Sequence, residues 1–91
     1  MKVSDVLTDE SKWIKGHSSS PDGRFCLGYA IQQATEGNAR NFINVLYTVS
    51  QVIYALFPER ITGRTSTIVS FNDHPDTTFE DVQRVMKFAN V

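Results

Sequence analysis

Cys26, His17, His74 and Asp73 are the residue types of a cysteine-nucleophile site. A thiol becomes a useful nucleophile only beside a base or at a helix N-terminus. Cys26 falls where a helix should begin, just after a glycine-containing turn. Against that chemistry, it shares a helical side with Ala30 and Ala34, and free cysteine is among the most buried residue types. A buried structural cysteine is the favoured reading, with Cys26 and Asp73 kept as the candidate catalytic residues.

A second candidate is the stretch Ser70–Thr78, SFNDHPDTT. Asn and Asp side chains bond nearby backbone N–H groups in turns, and Pro75 pushes His74 toward extended geometry. Structurally this reads as a turn that ends one helix and launches the next. Functionally, Asn72 and Asp73 with Arg24 would line a polar ligand pocket. Two isolated histidines lack metal-ligand spacing, so neither a metal nor a cofactor is expected.

Nucleic-acid binding is not expected either. Gln83, Arg84, Lys87 and Asn90 imitate the polar face of a recognition helix, yet Glu80 and Asp81 at its leading end would repel phosphate. Gly23-x-x-x-x-Gly28 lacks the Lys-Ser/Thr that completes a phosphate loop.

The element positioned to organise these residues is Phe42–Phe57, FINVLYTVSQVIYALF. At about 100° per residue, Phe42, Val45, Leu46, Val49, Val52, Ile53 and Leu56 make one apolar stripe. Ile43, Tyr47, Tyr54 and Phe57 make a second stripe, leaving a narrow strip of Asn44, Thr48, Gln51 and Ala55. Two stripes predict a helix almost surrounded by protein, either central in a bundle or half of a dimer interface. Tyr47, Tyr54 and Phe57 are the interface candidates, because aromatics with a polar tip are enriched at interfaces. Trp13 is either a core anchor or an interface hot spot.

Around that helix, Ser4 is expected to cap a first helix through about Ile14, ended by Gly16. Pro21-Asp22-Gly23 marks a turn. Leu27, Ala30, Ile31 and Ala34 predict a second helix over about 25–35, in which Gly28 implies the close approach of another helix. Gly37-Asn38 is a tight connection into the central helix, and Pro58 ends that helix near Phe57. Thr65–Phe71 is β-branched, yet no partner strand exists, so a short helix capped by Ser66 is expected. Thr77 or Thr78 caps the last helix, with Thr77-x-x-Glu80 as capping box and Phe79, Val82, Val85, Met86 and Ala89 buried.

Ninety-one residues, 41% of them hydrophobic, with net charge -1, are one globular domain spanning 1–91. The predicted class is all-α: a compact bundle of four to five helices around a central hydrophobic helix at about 41–57. A single cysteine fits a reducing cytoplasm. No signal core or membrane span is visible, so cytoplasmic residence and no membrane contact are expected.

The marks Trp13-x-x-Gly16, Gly23-Arg24-x-Cys26-x-Gly28-x-Ala30 with Ala34 behind, Phe71-Asn72-Asp73, Thr78 and Val82 span nearly the whole chain. In these the chain resembles domain-of-unknown-function family 6197, which looks like small proteins of actinobacteria and their phages. Phe71 stands where that family commonly carries tryptophan. The resemblance implies a small helical domain and a phage or mobile-element origin; it assigns no chemistry.

The function expected first is a non-enzymatic interaction protein that binds a protein partner or itself. Small-ligand binding around Asn72, Asp73 and Arg24 is the alternative, and a cysteine-dependent enzyme using Cys26 is the third.

Overall fold

A computed structural model describes residues 1–63 and 65–91. The chain is all-α. Its helices are α1 (Val3–Val6), α2 (Leu27–Ala34), α3 (Ala39–Leu56), α4 (Thr67–Asp73) and α5 (Phe79–Ala89), with 3-10 turns at Glu10–Lys12 and Pro58–Arg60. Among the described residues there is no strand, only isolated bridges of Phe25 to Trp13 and to Ser19.

The first helix is far shorter than expected. Ser4 lies inside it, and Asp5 does the capping by accepting from the Lys2 N–H at 2.9 Å. Asp9 then accepts from the Ser11 N–H at 2.9 Å, a local bond that competes with helix continuation and turns the chain. Beyond it, Trp13 is extended and the chain runs to Gly16 outside any helix. The Pro21-Asp22-Gly23 turn forms as expected, with Gly23 at φ +87° and its N–H donated to the Ser20 carbonyl. It returns Phe25 to Lys12 and Ile14 through two backbone hydrogen bonds.

Helix α2 starts two residues later than expected because Cys26 is its N-cap. Leu27, Ala30, Ile31 and Ala34 are all buried, as their spacing requires. Gly28 has no tight neighbour: a Cβ there would meet Ile68 at 3.7 Å, an ordinary contact, so close helix approach does not explain it.

Helix α3 is capped by Asn38, whose side chain accepts from the Asn41 N–H at 2.9 Å, and Pro58 follows its C-cap, Phe57. Val49 and Ile53 are completely buried, and Phe42, Val45, Leu46, Val52 and Leu56 pack against the core. The second stripe is open. Ile43, Tyr47 and Tyr54 are 63%, 67% and 54% exposed, so α3 is not surrounded. The other helices, of 4, 8, 7 and 11 residues, are too short to wrap an 18-residue helix on both sides.

Ser66 caps α4 as expected, accepting from the Val69 N–H at 3.1 Å. The capping box of α5 is one residue later than expected, joining Thr78 to Asp81. Thr77 is instead buried and accepts from Arg60 at 3.0 Å. Helix α5 closes on Asn90 at φ 58°, with the Val91 N–H returning to Met86, a Schellman-type end. The Ser4 N–H donates to the Val91 carbonyl, tying the two ends of the chain together.

Candidate functional site

Most of the singled-out chemistry meets in one place. Gly16, His17 and Ser18 from the loop, Cys26 and Gly28 from α2, and Asn72 and Asp73 from α4 line a shallow cleft of ≈ 220 Å³. At its base, Asn72 is 1% exposed. Its Oδ1 accepts from Trp13 Nε1 at 2.7 Å and from the Leu27 N–H at 2.9 Å. Its Nδ2 donates to the Ile14 carbonyl at 3.1 Å and to Asp73 Oδ1 at 2.9 Å. That uses two acceptor and two donor sites, the full capacity of an amide. Asp73 Oδ1 also accepts from the Gly16 N–H at 2.9 Å. Together they lock the 13–16 segment and the start of α2 onto α4.

Cys26 is half-buried, not fully buried, and its Sγ accepts from the Tyr29 N–H at 3.3 Å as the helix cap. His17 and Asp73 share the cleft with it, but no hydrogen bond joins either to the sulfur among the described residues. His74 faces another way: its Nδ1 accepts from the Asp76 N–H at 3.1 Å, and its carbonyl accepts from Lys15 Nζ at 2.7 Å. Among the described residues no three His, Cys, Asp or Glu groups come close enough to hold a metal ion.

Arg24 is not part of the cleft. Its Nε donates to Asp22 at 3.0 Å, and the Ser20 hydroxyl and this guanidinium hold the Asp22 carboxyl below its ordinary pKa. The ligand pocket expected around Asn72, Asp73 and Arg24 therefore lacks its cation, and its amide is fully engaged by the protein.

The interface candidates divide. Tyr47 and Tyr54 stand on the exposed face of α3, whereas Phe57 is 7% exposed. The Phe57 ring lies 5.3 Å from Phe71, with the Arg60 guanidinium 4.9 Å above it. Trp13 takes the core alternative: it is 9% exposed, its ring is 6.0 Å from Phe79, and its N–H is held by Asn72. Ile43 and Phe88 are among the exposed large apolar groups outside the expected interface. Both had a signal in the sequence. Ile43 continues the tyrosine stripe, and Phe88 falls outside the buried periodicity of α5.

Fold and hub together define a small all-α domain pinned by one buried amide. The chain belongs to a family of unknown function, DUF6197, whose model matches residues 1–90. No curated protein and no solved structure matches it. No described helix is long and apolar enough to cross a membrane.

Proposed function

We propose that this chain is a small non-enzymatic interaction protein that docks a protein partner through the exposed face of α3. The observation that carries this is the row of Ile43, Tyr47 and Tyr54, each more than half exposed on one side of an ordered helix. Monomeric proteins expose single apolar residues freely, but aligned large ones mark contact surfaces. Composition points the same way: residues 41–58 contain no charge, and all nine basic and ten acidic residues lie elsewhere. Depletion of charge with aromatic enrichment is the signature of an interface core. Cytoplasmic residence and a phage or mobile-element origin complete this reading.

The cleft at Asn72 and Asp73 supports ligand binding less well, because its buried amide has no hydrogen-bonding capacity left for a guest. The test replaces Tyr47 and Tyr54 with alanine together. Association, read as native mass or as stoichiometric capture of a partner from host lysate, should be lost while the far-UV spectrum is unchanged. Unaltered mass and unaltered capture would sink the reading.

A further inference from the structure

The geometry points to Asp22-Gly23 as a site where this chain modifies its own main chain, a reaction that Ser20 and Arg24 hold off while the turn is closed. No other Asp or Asn in the sequence precedes a glycine. Glycine has no side chain to screen its nitrogen, so that nitrogen can approach the neighbouring carboxyl group. The Gly23 nitrogen bonds to Asp22 Cγ, the Cγ–OH bond breaks, and the amide proton leaves with the hydroxyl as water. Water then opens the cyclic imide. Opening at the side-chain carbonyl restores aspartate, whereas opening at the main-chain carbonyl gives isoaspartate, with the chain running through Cβ. Nothing is oxidised or reduced, and no reagent other than water takes part.

Space and solvent permit this reaction. Asp22 and Gly23 are exposed, and beyond its chain neighbours nothing lies within 4 Å of where a Gly23 Cβ would stand. Each reacting group is nevertheless engaged. The Gly23 N–H donates to the Ser20 carbonyl at 3.0 Å, closing a four-residue turn that fixes the dihedrals on either side of Asp22. One Asp22 oxygen accepts from the Ser20 hydroxyl and the other from Arg24 Nε at 3.0 Å. Ser20 is held in turn by Arg24, whose N–H donates to the hydroxyl at 3.1 Å and whose carbonyl accepts from the Ser20 N–H at 3.0 Å. The carboxyl group must carry a proton before its oxygen can leave as water, and two donors on it favour the ionised form. Reaction therefore waits for the turn to open, at a rate set by the open fraction. Isoaspartate would add a methylene to the turn that returns Phe25 to Lys12 and Ile14, beside the α2 cap at Cys26.

The test incubates the full chain at mildly acidic pH, native and unfolded in guanidinium chloride. Isoaspartate at residue 22 is then measured by peptide mapping with electron-transfer fragmentation, which distinguishes it from aspartate of equal mass. The native chain should form it at least about tenfold more slowly than the unfolded chain, as for a turn that is closed most of the time. Arg24→Gln and Ser20→Ala, each checked for an unchanged far-UV spectrum, should form it about threefold faster than the native wild type, the scale of one exposed charged contact. In guanidinium chloride both variants should match the wild type. Equal rates in the native and unfolded wild type overturn the inference, whether or not the variants fold. So does an unfolded chain that forms no isoaspartate at residue 22. Native variants no faster than the wild type, or an acceleration that persists after unfolding, remove the role of Ser20 and Arg24 and overturn it as well.

Discussion

Asn72 joins three segments that are distant in sequence: Trp13 and Ile14, Leu27, and its own helix. Buried polar groups are costly unless paired, and one amide here satisfies an indole N–H, a backbone N–H and a carbonyl at once. Asn72→Ala should therefore cost about 3 kcal/mol in urea denaturation, since each partner left unsatisfied costs about 1–3 kcal/mol. A ligand-contacting asparagine would show no such loss, so an unchanged midpoint would contradict its structural role. The motif Phe71-Asn72-Asp73 was visible in the sequence, but its meaning was not. A turn-forming asparagine and a core asparagine have identical local spelling, and only burial with partners 45 and 59 residues away separates them.

Among the elements, α2 shows how local rules succeed and where they overreach. Leu27, Ala30, Ile31 and Ala34 bury as their spacing dictates, because a helix presents i, i+3, i+4 and i+7 on one side. Gly28 suggested a close helix crossing, yet a Cβ there would make only ordinary contacts. Gly28→Ala should accordingly raise stability by about 0.5–1 kcal/mol, measured as a higher thermal midpoint. A lower midpoint would show that the cleft wall tolerates no methyl group. The first helix fell short in a comparable way: its apolar spacing suited a longer helix, but α1 stops at Val6, and Asp9 then caps a separate 3-10 turn through the Ser11 N–H.

At the scale of the whole molecule, one ion pair ties the 58–60 turn to the start of α5. Arg60 donates to Asp81 at 2.8 Å and to Thr77 at 3.0 Å while lying over Phe57. Partial burial pushes the Asp81 carboxyl up, but the bonds from Arg60 and the Thr78 N–H outweigh it and hold its pKa below the ordinary 3.8. A folded-state pKa below the unfolded one means stability that is complete above the unfolded value and is lost as pH falls through the folded value. Urea midpoints should therefore decline below about pH 4, and Asp81→Asn should flatten that decline. The variant should also cost about 1 kcal/mol at neutral pH, because the partly buried Arg60 loses its charged partner. An acid limb of equal steepness in the variant would assign acid sensitivity to other carboxylates.

The amino-acid sequence by itself determined the helical class, the buried faces of α2 and α5, the Ser66 cap, and the stop at Pro58. All of these follow from periodicity and capping, which act within a turn or two of helix. It also showed that α3 is apolar on two sides. Which side faces the core was decided only by the tertiary structure, because that depends on the length and placement of four other helices. The same holds for the hub at Asn72, the fate of Phe57 and the clamp between Arg60 and Asp81. Each depends on distance in space between residues far apart along the chain, which local spacing does not encode.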